Sequence, residues 1–333
     1  MPSWVKTRPS VSFIAWSSVA GRSEEIAKAL GGEARCFYDF GFVTQRLVPI
    51  RYAASALRTT LYLLVRRPHA VIASNPPIFP GLIAYLYGLL SGAPIVLDSH
   101  PSAFGFYESK KLVTLTMPLH RFLMSRVAGQ IVTVEDLVDE VSRQGGRAEI
   151  CHEAPPLWSV PLSESPKGSV KILFVGIFAD DEPTEVVVAA AKDLPNVEFL
   201  VTGDLRKCPP GLLESATRNV RFVGFLEEAA YCAAVSEAHV VMTLTNRPEA
   251  VNRAANEAVF ARRPLIVSDW PASRRYFPYA IHVSNTVEGV VHGITETLCN
   301  YEDLTRAAEA AFIEQTSRWE QQLNVLRGLL LSS

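Results

Sequence analysis

Apolar residues along this chain gather in short runs, separated by stretches in which they recur with a helical period. Val11–Trp16 reads as a buried strand. The polar turn Ser17–Arg22 follows, with Ser23 placed to cap a helix over Glu24–Leu30. Helical patterns cover Arg51–Arg67, Phe79–Leu90, Lys111–Val127 and Glu135–Arg143. Between them lie strand-like runs at Ala70–Ser74, Pro94–Asp98 and Gln130–Val134. Asn75-Pro76-Pro77 breaks one strand sharply. After Ala154–Ser169, rich in Pro and Ser and the best linker in the chain, a second series begins. Its strands are Val170–Val175, Val197–Thr202, Val220–Val223, His239–Leu244 and Pro264–Ser268. Its helices are Thr184–Lys192, Glu227–Glu237 and Ala250–Ala261, and a long helical pattern runs from Leu304 onward.

Strands alternating with helices mean parallel βαβ units, so the fold class is α/β with two Rossmann-like domains. Open parallel sheets take ligands beyond the C-terminal ends of their strands, which makes an interdomain cleft the default site. The length of 333 residues suits two cores.

Charge sharpens this picture. The net charge of -2 and the absence of zinc-finger spacing argue against a nucleic-acid partner. Basic residues are in excess in the first half and acidic residues in the second. Between Asp39 and Asp98 there is no acid at all, while Arg46, Arg51, Arg58, Arg66 and Arg67 fall there. Arg51, Arg58 and Arg66 fall within one broad arc of a helix, while Leu57, Leu61 and Leu64 supply apolar surface. Lys110, Lys111, Arg121 and Arg126 accompany Leu115, Leu119 and Phe122 on another. Such helices suit an anionic bilayer or a polyprenyl phosphate; the plainer explanation is core faces with solvated arginines. No run is long enough for a signal peptide or a membrane span. The odd number of cysteines, without CxxC, reads as reduced thiols. The expected location is the cytoplasm, with peripheral attachment to the inner face of the membrane as a secondary expectation.

The stretch Thr245–Phe277 holds Glu249 and Glu257 around the start of a predicted helix. The helix N-terminus offers free N–H groups to a phosphate, and the acids can accept from sugar hydroxyls. On spacing alone, two ordinary helix glutamates are the plainer explanation. The segment "EAVNRAANEAVFARRPLIVSD", however, resembles the paired-glutamate motif of GT-B glycosyltransferases, especially family 4. "FVGIFADDEPTEVVVAAAKDLPNVEFLVTGD" and "NVRFVGFLEEAAYCAAVSEAHVVMTLT" look like earlier parts of the same donor domain. "SNPPIFPGLIAYLYGLLSGAPIVLDSH" is similar to the acceptor domain of β-1,4-mannosyltransferases acting on lipid-linked oligosaccharides.

That resemblance implies a GT-B fold with two parallel sheets facing a central cleft. Residues 1–160 would bind acceptor and residues 168–313 the nucleotide-sugar donor, with a helix at about 314–333 packing back on the first domain. It implies that Glu257 binds ribose and Glu249 lies near the donor sugar. Gly176 and Phe178 follow the first donor-domain strand, where backbone passes the diphosphate. Thr202 and Gly203 end the next strand, Phe225 flanks the base, and Thr245, Arg247, Asn252, Arg253 and Ala254 surround the phosphates. Ser17, Ser18 and Arg22 would face the donor from the acceptor side. The donor would be a UDP- or GDP-sugar, with no cofactor and no bound metal.

Two departures stand out. The loop Ala179-Asp180-Asp181-Glu182 is acidic where family 4 enzymes place an Arg and a Lys, leaving Arg247 or Arg253 to serve as the phosphate cation. Ala250 replaces the glycine expected after Glu249. An inverting mechanism needs a base, and Asp98 and His100, at a strand end, are the candidates. The plainer explanation is that Asp98 caps a turn and His100 packs on Phe104. Glu135 and Asp136 read as helix-capping acids, and the histidines lack ligand spacing. The leading expectation is a glycosyltransferase using a lipid-linked or cell-envelope glycan acceptor. The alternatives are a sugar-nucleotide epimerase on the same scaffold and a non-catalytic partner subunit.

Overall fold

The computed structural model describes residues 10–17, 21–38, 48–105, 111–162 and 168–331. The chain divides into two compact units: residues 1–154 with 318–333, and residues 155–317.

In the first unit, β1 (Val11–Ala15), α1 (Gly21–Ala29), β2 (Glu33–Cys36), α2 (Val48–Arg66), β3 (Ala70–Asn75), α3 (Phe79–Ser91), β4 (Ile95–Ser99), α4 (Lys111–Met124), β5 (Gly129–Val132), α5 (Glu135–Arg143) and β6 (Ala148–Ile150) alternate. The strands form one parallel sheet in the order β2-β1-β3-β4-β5-β6. Chain direction reverses between β1 and β3, so helices cover both faces. Successive strand residues point to opposite faces. Ile14, Ala73 and Leu97 therefore meet Leu63 of α2, Ala84 of α3 and Leu123 of α4. Phe13, Ile72 and Val96 meet Ile26 of α1 on the other side.

The second unit contains β7 (Val170–Phe174), α6 (Thr184–Ala190), β8 (Val197–Thr202), α7 (Leu212–Ser215), β9 (Val220–Gly224), α8 (Glu228–Glu237), β10 (Val240–Thr243), α9 (Arg253–Phe260), β11 (Leu265–Ser268), α10 (Pro271–Tyr276), β12 (Ile281–Val283) and α11 (Val287–Cys299). Its parallel order is β12-β11-β10-β7-β8-β9, with the reversal between β7 and β10. Phe174, Phe199, Met242 and Ile266 fill its core. Helix α12 (Tyr301–Leu331) begins with Tyr301 in that core. It ends with Trp319, Leu323, Leu326 and Leu329 in the first unit's core, against β5, where a Cβ on Gly129 would lie 3.0 Å from Leu329.

Several expected boundaries shift. Helix α1 starts at Gly21, so Ser23 lies inside its first turn and is not the cap. Helix α9 starts at Arg253, three residues after the expected Ala250, because the Asn252 side chain turns inward to donate to Thr243 Oγ1 at 2.8 Å. The Pro/Ser-rich segment is not wholly a tether. Val160 packs with Leu173 and Leu200, and Arg262 and Arg263 donate to the carbonyls of Val160 and Pro161. Ser18, Arg46 and Lys110 lie outside the described residues.

Candidate functional site

In an open parallel sheet, the strands flanking the reversal splay their following loops apart and leave room for a ligand. In the second unit those loops follow β7 and β10. Most of the expected donor-site residues lie on these loops or on their immediate neighbours.

The loop after β7 is folded on its own carboxylate. Glu182 accepts from the backbone N–H of Ile177 at 2.8 Å and of Ala179 at 3.2 Å. A Cβ on Gly176 would sit 2.8 Å from the same carboxylate, so the close approach there suits glycine. Burial pushes the Glu182 carboxyl up, opposed by these amide donors. Thr202 Oγ1 accepts from Gly176 N at 3.0 Å, joining the ends of β7 and β8. Phe178 adopts the left-handed backbone region and lays its ring against Gly203, whose φ of 140° leaves no room for a side chain. Phe225, just beyond β9, is largely exposed.

Asp181 links this loop to the one after β10. Its Oδ2 accepts from Thr245 Oγ1 at 2.6 Å, its carbonyl accepts from Asn246 N at 2.7 Å, and its Oδ1 lies 3.3 Å from Arg247. The acidic loop and the expected phosphate cation are thus partners of one another. Thr245 is fixed further. Its N–H donates to Ser268 Oγ at 2.9 Å, and its carbonyl accepts from Trp270 Nε1 at 2.7 Å and from Asn285 Nδ2 at 2.9 Å. A small crevice lies here, lined by Thr243, Thr245, Asn252, Ala255, Ser268 and Trp270.

Asn252 caps α9 by position only, with no side-chain bond to the first-turn amides. Those amides, with Arg253 and Ala254 in the first turn, carry the positive end of the helix dipole. Glu249 is exposed in the preceding loop. Glu257, one turn into the helix, is held at both oxygens: Oε1 by Arg253 Nε at 2.8 Å and Oε2 by Tyr231 Oη at 2.7 Å. Burial, and then the adjoining Glu257 charge, push the Tyr231 phenol up, so it remains the proton donor. The second candidate cation, Arg253, is therefore committed to Glu257.

In the first unit, strand alternation turns Asp98 toward α1. It is buried and receives Arg22 from Nε at 3.2 and 3.3 Å and from Nη2 at 3.1 Å. Arg22 also donates to the carbonyls of His152 at 2.7 Å and Cys151 at 2.8 Å, with Glu153 3.5 Å away. Burial alone would lower the Arg22 pKa. Asp98 first and then Glu153 reverse that and hold it raised. Arg22 is thus a core residue tied to Asp98, and Asp98 caps no turn. His100 stands half-exposed with Nε2 3.7 Å from Asp98 Oδ2. Phe104 packs on His120, 5.0 Å between ring centroids, rather than on His100. Ser17 follows β1 at the same edge of the sheet. Glu135 and Asp136 lie in the first turn of α5, behind Val134 at the cap.

The residues that sequence reasoning did not single out are Tyr231, Ser268, Trp270 and Asn285. Asn285 follows β12, a three-residue strand too short for a periodic signal. Tyr231 lies four residues into α8, which the pattern did mark, but nothing local ties it to Glu257. Among the described residues, no group of three or more His, Cys, Asp or Glu could hold a metal ion.

No protein-family model matches the chain. No curated protein matches it by sequence. Solved structures do match over nearly its whole length. HepE from Anabaena, solved with UDP and glucose, is 12% identical with a TM-score of 0.72, covering 98% of this chain and 100% of its own. A glycosyltransferase from Rickettsia africae is 13% identical, with a TM-score of 0.69 and coverages of 98% and 100%. Sucrose-phosphate synthase from Thermosynechococcus elongatus is 13% identical, with a TM-score of 0.65 and coverages of 95% and 99%. At such identities the likeness speaks for architecture. With two six-stranded parallel sheets built from alternating strands and helices, the chain has the GT-B fold.

Proposed function

We propose that the protein is a glycosyltransferase that moves a sugar from a nucleoside-diphosphate sugar to an acceptor hydroxyl. The observation that carries this reading is the arrangement at the reversal of the second sheet. The first-turn amides of α9, with no side-chain cap, follow the β10 loop that Asp181 of the β7 loop holds, and a buttressed carboxylate, Glu257, lies one turn further on. Diphosphate suits the amides. Ribose hydroxyls suit Glu257, whose orientation Tyr231 and Arg253 fix. HepE has been solved with UDP and with UDP-glucose, which supports a uridine donor first and a guanosine donor second.

On the acceptor side, the base we assign is His100, with Asp98 as its positioning carboxylate and Arg22 holding Asp98. A base that accepts the acceptor proton serves inversion, and the anomeric configuration of the product decides that part. The acceptor we assign is a lipid-linked or cell-envelope glycan, and the working location is the cytoplasmic face of the membrane. Asn75-Pro76-Pro77 and Asp98-Ser99-His100 support this through their likeness to the lipid-linked mannosyltransferases. The pairing of Arg247 with Asp181 favours one other reading, a partner subunit that never holds diphosphate.

A panel of UDP-, GDP- and dTDP-sugars in a thermal-shift assay tests the donor site, since a ligand that binds only the folded state raises the melting temperature. A uridine or guanosine compound should raise it, and Glu257→Ala should abolish the rise. No shift with any nucleotide would leave the partner-subunit reading. A shift unchanged in the variant would remove Glu257 from the site. Isomerised donor without transfer would assign an epimerase.

A further inference from the structure

Helix α2 is apolar on the wrong side for a globular protein. Its core face is Ser55, Thr59 and Leu63. Opposite that face lie Ile50, Leu57, Leu61, Leu64 and Val65, all exposed, with Leu57 at 61% and Val65 at 77%. The spacing of these five places them in one stripe along the helix. Helix α3 continues the surface with Leu86, Leu89 and Leu90, the last 82% exposed, and α4 adds Leu115 and Phe122. All three helices cover the same face of the first sheet, and Tyr85 of α3 meets Phe122 of α4 edge-on at 6.0 Å. Isolated surface leucines need no explanation, but a stripe continued over three adjacent helices does.

Charge identifies the occupant. The three helices contain no Asp or Glu, in a chain with 34 acidic residues overall. Their charged side chains are all basic. Arg58, Lys111 and Arg121 are exposed, as is Arg126 just beyond α4, which lies over the Phe122 ring at 4.0 Å. A protein partner or a second copy would require apolar complementarity but no such exclusion of acids. A surface that is both hydrocarbon and uniformly negative requires both. No described helix is long and apolar enough to cross a membrane, so the contact is with the surface.

We infer that the outer face of α2, α3 and α4 is a docking surface for an anionic lipid bilayer. The leucine stripe enters the headgroup–acyl boundary while the arginines and Lys111 meet lipid phosphates. This deepens the peripheral-membrane part of the reading above and rests on it for the acceptor.

Vesicle sedimentation tests the inference. The full chain should partition onto phosphatidylcholine vesicles containing about a third phosphatidylglycerol. It should bind pure phosphatidylcholine far less, and high salt should weaken the anionic binding. One basic side chain near an anionic surface is worth about fivefold in partitioning, so Arg58→Gln with Arg121→Gln should cost about thirtyfold. Leu61→Gln with Val65→Gln should remove insertion and leave only weak, salt-sensitive binding. These positions are solvent-exposed, so melting temperatures should hold. The nucleotide-induced thermal shift should also persist in every variant, so the donor-site reading and the docking reading fail separately. Absence of binding to anionic vesicles, or binding that both double variants retain, overturns the inference. So does a dimer in light scattering that Leu61→Gln with Val65→Gln disperses.

Discussion

Replacing Asp98 by alanine removes the carboxylate that neutralises a buried guanidinium. In the folded protein Arg22 has three contacts with Asp98 between 3.1 and 3.3 Å, and both side chains are nearly inaccessible. Breaking one side of such a pair costs about 3–5 kcal/mol, because the remaining charge stays desolvated. Glu153, 3.5 Å from Nη1, and the two carbonyl acceptors keep Arg22 partly satisfied, which favours the low end, about 3 kcal/mol. In a unit of this size that lowers the melting temperature by roughly 6–12 °C. Calorimetry on Asp98→Ala, on Asp98→Asn and on Arg22→Met with Asp98→Ala should find both single variants destabilised. The double variant should recover part of the loss, since no unpaired charge is left. If Asp98 were itself the proton acceptor, with its charge unimportant to the fold, Asp98→Asn would lose turnover at an unchanged melting temperature. That outcome, or a double variant no more stable than Asp98→Ala, would refute the reasoning.

Three further expectations concern single groups. Burial, then the Arg318 and Arg22 charges, lowers the His152 pKa to about 4. The folded protein therefore refuses a proton that the unfolded chain accepts below its ordinary value near 6.5. Stability is complete above that value, falls as pH drops toward about 4, and loses about 3 kcal/mol over the window. His152→Asn should flatten this part of the acid-unfolding profile. Gly203→Ala places a methyl 2.5 Å from the Phe178 ring at a backbone angle that alanine resists; urea unfolding should show a loss of about 2–4 kcal/mol, partly restored by Phe178→Leu. Asp181→Asn releases Arg247 from its ion pair, and titration calorimetry should then find UDP bound about fivefold more tightly, the effect of one screened charge. Weaker binding would mean that the loop geometry Asp181 imposes outweighs its charge.

The periodic apolar runs made the central strands and most long helices legible, because their burial is dictated locally, but α11, 13 residues long, went unmarked. Strand β2 escaped, since Glu33, Arg35 and Cys36 give it no alternation and its place at the sheet edge leaves it half-exposed. β6 and β12, three residues each, carry too few positions for any period. The paired-glutamate stretch falls on the loop after β10 and on α9, but its sequence does not contain the partners of its acids. Tyr231 is distant from Glu257 in sequence, and Asp181 is more distant still from Thr245 and Arg247. The same holds for Arg22 and Asp98, which read as independent loop-edge candidates and are in fact one buried pair. Contacts of this length are fixed by strand order and facing, which a linear pattern does not contain.

Helix α12 makes the first unit discontinuous in sequence, with Trp319, Leu323, Leu326 and Leu329 arriving long after its strands. On the ribosome, the N-terminal sheet would wait with one face covered only by α1 while the second unit is synthesised in full. Its closing piece follows the second unit in the chain, so the first sheet is completed only after that unit has been made. A protease cut near Ser317 would free the part of that sheet's cover that α12 supplies while leaving the second unit's own core intact.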